Sequence, residues 1–345
     1  MNRKIRIAYF DLFHSGWHED YSINARKYGG GAIFPKWAKE EWSKPESNFE
    51  FYIFAPKRCW EHIDESLENK FCFQELPENI GQFLLNGGHI KNVIPNIDYF
   101  DIIMLGHTGV AINNSNCRPI QVHWAGFGRA SDSHPFIPYT FLYGKNLSPA
   151  YPNQKTYPIK IGKPVSDVFI KNDKEDYIFI CSSHDISKDS IPLAKECLKN
   201  NIKGIFAGII QGDYKLLNYI DNKTTFFLGE ISDKFKYELA KKARLSAFLG
   251  TCPCVFSLGV VEMLANGTPI LRNNTNFNDW LEETIVDGYN GFIYNGKNFL
   301  ECWNNAKNIN QENCWKTAKK YSTKEMVLSF EEAIRFTIKD SKIQL

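Results

Sequence analysis

Long apolar runs are missing from this 345-residue chain. No stretch approaches the roughly 20 consecutive apolar residues that a membrane span requires. The N-terminal MNRKIRIAYF is charged, but Asp11 and His14 follow at once and no extended apolar segment develops. No cleaved export signal is expected from this pattern, and the chain is assigned to the cytoplasm. An excess of one charge is missing too. Forty-one Lys and Arg against 39 Asp and Glu leave a net charge of +2. Residues 1–165 hold 18 basic and 16 acidic side chains, and the remainder holds 23 of each. Neither half is a basic domain, so composition gives no argument for a nucleic-acid protein, although a local basic groove stays compatible with it. Three motifs are absent as well. There is no Gly-x-Ser-x-Gly nucleophile turn, no phosphate-binding Gly-x-x-x-x-Gly-Lys loop, and no Gly-x-Gly-x-x-Gly after the first strand. Internal repeats and low-complexity tracts are not found.

Cysteine is scattered. Nine cysteines are an odd number in a chain too long to be a disulfide scaffold. Several lie in strand-like runs such as IFICSS, where a reduced thiol packs as a small hydrophobe. Cys252-Pro-Cys254 is the only close pair, and no second Cys or His pair follows to complete a metal site. No metal or other cofactor is expected.

What the chain does have is aromatic surface: 26 Phe, 16 Tyr and 8 Trp, enough to build two cores and too much for a disordered polymer. Strand-like and helix-like stretches alternate along it. Lys4–Phe10, Phe49–Phe54, Asp101–Leu105 and Pro119–His123 read as strands, and Ala32–Trp42 has helical spacing. Around Tyr143–Asp176 prolines 149, 152, 158 and 164 mark a connection. A second alternating series starts at Tyr177–Ser182. It contains predicted helices over Ile191–Leu198, Lys234–Ala243 and Leu258–Ala265, and three helical segments close the chain. Such alternation predicts parallel βαβ units, hence an α/β protein of two doubly wound, Rossmann-like domains facing a cleft. Ligands then sit at the carboxyl ends of the strands. Seven of eight histidines precede residue 165, which assigns polar chemistry to the first half.

The most informative stretch runs from Cys254 through Glu262 to Gly267-Thr268-Pro269. A small-residue loop enters a helix, Gly267 suits the left-handed position at the helix end, and Pro269 opens the next strand. Free N–H groups at that helix start favour an anion such as a diphosphate. Glu262, one turn in, can accept hydrogen bonds from the vicinal diol of a ribose, but by chemistry alone a solvated helix Glu is the favoured reading.

This segment resembles the signature of family 4 GT-B glycosyltransferases: a Glu, seven residues, a second Glu, then a small residue before Gly-Thr-Pro. Glu262 matches the second Glu, which in that family holds the donor ribose. Cys254 stands where the first Glu usually contacts the donor sugar, a departure from the pattern. Phe227-Leu-Gly229-Glu-Ile231 resembles the turn beside the nucleobase. Asp287-Gly-Tyr-Asn-Gly291 resembles a further turn of the family. Ile178–Lys188 occupies the place of the strand and loop that carry an Arg and a Lys for the diphosphate. Lys188 fits the Lys, while Ser183 and His184 stand near the place of the Arg.

In the first half Gly29-Gly30-Gly31 is similar to the family's glycine-rich loop, and His123, read as closing PIQVH ahead of a loop, to a His near the transferred sugar. The resemblance implies His123 as the catalytic residue. It implies Gly30, Gly31, Lys188, Ile231, Cys254, Ser257, Leu258 and Glu262 as donor-binding residues. Arg129 and His107 are candidates for the acceptor.

The implied division is an acceptor-binding domain over 1–165, a nucleotide-sugar domain over 166–322 and a crossover helix over 323–345. The implied activity is metal-independent, retaining transfer of a sugar from a nucleotide diphosphate sugar, UDP foremost. The acceptor hydroxyl would belong to a glycan, a lipid-linked sugar or a hydroxylated DNA base. Trp37 and Trp42 among Lys36, Lys39 and Lys44 would serve a peripheral membrane contact. Two other readings fit the same residues: a nucleotide-sugar epimerase of this fold, and a non-catalytic sugar-nucleotide binder, which the Cys254 substitution and the missing Arg favour.

Overall fold

The computed structural model describes residues 3–10, 33–57, 74–106, 112–125, 136–143, 151–249, 257–274 and 279–341. These residues fall into two compact units. The first holds the described residues up to Ile161 together with those from Thr323 on, and the second holds Gly162–Ser322.

The first unit is a seven-stranded parallel sheet in the order β3-β2-β1-β4-β5-β6-β7. Its strands are β1 (Ile5–Phe10), β2 (Phe49–Pro56), β3 (Gln74–Leu76), β4 (Ile102–Gly106), β5 (Ile120–Ala125), β6 (Tyr139–Tyr143) and β7 (Lys155–Ile159). The inner strands read as near-continuous apolar runs because helices or loops cover both faces of a parallel sheet. One face carries helix α1 (Ile33–Trp42), whose Phe34, Ala38 and Trp42 are buried. Helix α2 (Ile80–Leu85) contributes Ile80 and Leu84 to a core that also holds Phe10, Phe54 and Phe100. Asp101, fully buried ahead of β4, receives Arg3 and Arg118 as ion pairs and the Arg6 N–H.

The second unit is a six-stranded parallel sheet in the order β10-β9-β8-β11-β12-β13. Here β8 is Glu175–Cys181, β9 Lys203–Ala207, β10 Thr225–Phe227, β11 Ala243–Phe248, β12 Ile270–Asn273 and β13 Gly291–Tyr294. Its helices are α3 (Ile191–Asn200), α4 (Asp233–Lys242), α5 (Leu258–Ala265), α6 (Asp279–Thr284), α7 (Phe299–Ala306) and α8 (Gln311–Lys319). In chain order this sheet is 3-2-1-4-5-6, so the winding reverses between β8 and β11.

The last helix, α9 (Thr323–Ser341), belongs to the first unit. Its Phe330 ring stacks on Phe34 at 3.7 Å, its Glu331 accepts from the Trp42 indole at 2.8 Å, and its Asp340 accepts from Tyr139. Phe330 and Ile334 are fully buried, each contributing on the order of 2–3 kcal/mol of apolar burial. Trp42 is thus enclosed between α9 and β2 rather than turned outward, which removes it from the expected membrane-facing set. No helix among the described residues is long and apolar enough to cross a membrane.

Candidate functional site

The site follows from the winding reversal of the second unit. Where neighbouring strands send their connections to opposite faces, a hollow opens at their carboxyl ends. Cys181 at the end of β8, Ser246 of β11, Ser182, Lys188, Ser257 and Gly259 line that hollow.

Each lining residue has a local cause. Helix α5 is apolar apart from Glu262 and is buried from Val260 to Leu264, so the sheet fixes its position. Ser257 precedes it in extended backbone and makes no side-chain hydrogen bond to cap it. The first-turn N–H groups of a helix have no carbonyl partner inside the helix and carry partial positive charge. Gly259 lets the helix start close to the strand: a Cβ there would lie 3.4 Å from the Cys181 carbonyl oxygen. The far end is a Schellman stop. Gly267 adopts φ +70°, its N–H bonds Leu264 O, and Thr268 N–H bonds Met263 O.

Lys188 ends a short 3₁₀ turn, Ile186–Lys188. Its backbone N–H donates to the Asp185 carboxylate at 3.0 Å, and its Nζ donates to Ser183 Oγ at 2.8 Å. Ser183, one of the two residues expected near the place of the missing Arg, accepts from the Lys188 ammonium. His184 is buried. Its Nε2 meets Ala207 O and its Nδ1 meets Ser190 Oγ, both at 2.9 Å. Burial pushes its pKa down, and its bonds tie the loop to β9, which is a structural role.

Glu262 is 6% exposed and sits in a four-charge cluster. Lys163 Nζ lies 2.7 Å from Oε1, and Lys236 Nζ lies 3.1 Å from both Oε1 and Oε2. Lys236 also pairs with Asp233 at 2.6 Å. Burial works against ionisation of Glu262, but Lys163 and then Lys236 outweigh it and hold the carboxyl below its ordinary range. For Lys236, burial opposes the charged form, and Glu262 followed by Asp233 overcomes it and raises the pKa. Cys181 lines the hollow and feels all four charges; burial dominates its titration and pushes the thiol up to about 11.

Ile231 is half-buried between β10 and α4, and Ser232 beside it caps α4 by accepting from Phe235 N–H. The structure thus brings Lys188 and Ser257 to the lining of one hollow, while Glu262, on the helix that Ser257 precedes, lies outside that lining. Leu258 lies in the same helix start and Ile231 leads into the helix that supplies Lys236.

The Asp287–Gly291 turn is held by its own bonds. Asn290 accepts from Val286 N–H and donates to Thr284 O and Thr317 Oγ1.

His123 lies in the first unit. Strand β5 continues through Ala125, so His123 is inside the strand, between Leu105 of β4 and Thr140 of β6, and not at its end. It is fully buried. The expectation of a loop position after His123 failed because Trp124 packs on Phe34 and Phe330 and carries the strand onward. Gly30, Gly31, His107, Arg129 and Cys254 lie outside the described residues.

Sequence reasoning missed Lys163, Lys236 and Asp233. The Asp233–Lys236 spacing on a helix was a usable signal for an ion pair. Nothing local marked Lys163, which sits in a Gly-Lys-Pro connection far from Glu262 in sequence.

No protein-family model and no curated protein matches the sequence. Solved structures do match in fold. The lipopolysaccharide outer core galactosyltransferase WaaB superposes with a TM-score of 0.69 at 13% identity, covering 96% of this chain and 100% of that one. A glycosyltransferase of Rickettsia africae gives 0.68 at 14% identity, covering 96% and 98%. HepE of Anabaena, solved with UDP-glucose, gives 0.62 at 13% identity, covering 96% and 99%. At these identities the likeness establishes the fold, which is GT-B.

Proposed function

We propose that this chain is a glycosyltransferase whose second unit binds a nucleoside diphosphate sugar, with UDP as the foremost nucleotide. The observation that carries the reading is the meeting of Lys188 and the start of α5 in the hollow at the winding reversal between β8 and β11, with Glu262 one turn along that helix. A cation and the N–H groups at a helix start match a diphosphate, and a carboxylate one turn further along the helix matches ribose hydroxyls. The fold neighbour HepE, solved with UDP-glucose, supports the same class of donor.

In this reading the bond between the anomeric carbon and the diphosphate oxygen breaks and its electron pair leaves with the diphosphate. The acceptor hydroxyl oxygen forms the new bond to that carbon, and its proton passes to the departing diphosphate. Lys188 and the α5 N–H groups stabilise the charge that develops on the leaving group, the kind of preorganised assistance that contributes most in such transfers. The first unit takes the acceptor, a glycan or lipid-linked hydroxyl. Cys254 replaces the usual sugar-contacting Glu, and the transfer proceeds with retention and without metal.

The test is calorimetric titration of the protein with UDP and UDP-glucose, beside the Lys188→Met variant. The expected result is saturable binding that weakens by roughly tenfold in the variant, as for the loss of one charge-assisted contact. Absence of binding by every nucleotide in a panel would remove the donor site.

A further inference from the structure

Lys188 lines the hollow from a single 3₁₀ turn between β8 and α3, and its long side chain is only as well aimed as that turn is held. On one side the Lys188 N–H donates to Asp185, and on the other its carbonyl oxygen accepts from Ser190 Oγ at 3.2 Å. The residues that follow are held from outside the loop. Tyr214 lies in the connection between β9 and β10. Its hydroxyl oxygen accepts from Ser190 N–H at 2.7 Å and from Ile191 N–H at 3.1 Å, and its proton is donated to Asp189 Oδ1 at 2.5 Å. Burial, and then the Asp189 carboxylate, raises the pKa of Tyr214, so the hydroxyl keeps the proton that it donates.

The same connection holds the other end of the loop. His184 N–H donates to Ile209 O at 2.6 Å, and Gln211 N–H donates to His184 O at 2.9 Å. Residues 209–214 therefore bracket Lys188, through His184 before it and through Ser190 after it. Tyr214 itself faces a separate surface pocket with Ile186, Pro192 and Lys195, while its partners Asp189 and Ser190 line the hollow. What its hydroxyl contributes to a ligand in the hollow must then pass through the loop. Ser190 is buried, so its N–H has no water to turn to when the tyrosine oxygen is removed.

Resting on the donor-site reading above, we propose that Tyr214 is a positioning residue for donor binding: its hydroxyl pins the backbone over Asp189, Ser190 and Ile191 so that the Lys188 ammonium meets the diphosphate.

The test is a double-variant cycle on UDP affinity, measured by calorimetry on the full chain with Tyr214→Phe, Lys188→Met and the two combined. Tyr214→Phe deletes one oxygen and leaves the ring. It should weaken UDP by roughly threefold to tenfold, the worth of a hydrogen bond lost from the loop. In the Lys188→Met background the same deletion should cost less than about twofold, because the group it acts through is gone. A merely structural role weakens UDP equally in both backgrounds. Uridine, which has no phosphate, gives a second readout, and Tyr214→Phe should leave its affinity within about twofold. Tyr214→Met also lacks the hydroxyl and serves if the first variant does not fold. Three outcomes overturn the proposal: unchanged UDP affinity in a folded Tyr214 variant, an equal loss with and without Lys188, or a loss for uridine as large as that for UDP. Failure of the unmodified protein to bind UDP is a different result, because it removes the donor reading itself and the proposal with it.

Discussion

Replacing Glu262 by Gln keeps the shape of the side chain and removes its charge. Lys236 retains Asp233 at 2.6 Å, but among the described residues Lys163 has no other ion pair. The variant therefore leaves one enclosed ammonium without a counter-charge. Breaking a buried pair from one side costs roughly 3–5 kcal/mol, and the surviving Asp233 contact places this case near 3 kcal/mol. Urea unfolding at pH 7 should report that loss. In the double variant Glu262→Gln, Lys163→Met the stranded charge is gone, so the two losses should fall short of additive by about 1–3 kcal/mol. The pH dependence has a definite sign. The folded carboxyl ionises below its usual range. Its contribution is thus fully present above the unfolded value of about 4.3 and is lost as the pH falls through the lower folded value. Glu262→Gln should flatten that acid limb. A loss below about 1 kcal/mol with additive double-variant behaviour would refute the reasoning, because it would mean that the cluster behaves as an exposed pair.

Two further outcomes follow from the same unit. Lys174 Nζ donates to the Lys241 and Asn266 carbonyl oxygens and to Thr268 Oγ1, and burial pulls its pKa down to about 7. The unfolded chain then binds more protons than the folded one between about pH 7 and the free-lysine value near 10.4, so Lys174 becomes less costly as the pH rises through that window. Urea midpoints of the parent and of Lys174→Met should therefore diverge in favour of the parent from pH 6 to pH 9, and a pH-independent difference would contradict this. Gly267→Ala forces a side chain into φ +70° with its Cβ 2.9 Å from Gln311 Cβ. It should cost about 1–2 kcal/mol by the same measurement, from the left-handed backbone alone before any movement of Gln311.

The winding of both sheets was legible in the sequence because parallel strands buried on both faces write apolar runs, and β1, β8 and α5 stand close to their expected places. Strand β6 and the edge strand β7 were not recognised. β7 is half exposed, contains Pro158 and lies in a stretch whose polar texture reads as a connection; an edge position is where a strand tolerates proline. Glu262 and Lys188 were identified through motif spacing, which is local. The ion pairs that set the charge state of Glu262 were not, because Lys163 reaches it from a position 99 residues away (262 − 163). Local pattern fixes where a carboxylate stands on its helix; its partners depend on which distant segment the fold returns to that helix.

The close packing of Gly162 on Ser322 has a consequence for how the chain can be taken apart. Among the described residues these are the first and last of the second unit, and Lys163 pairs with Ser322 in an isolated β-bridge. A segment whose ends already touch is cut out or grafted with little loop-closure cost. Grafting residues 162–322 would therefore move Lys163, Lys188, Lys236 and Glu262 together.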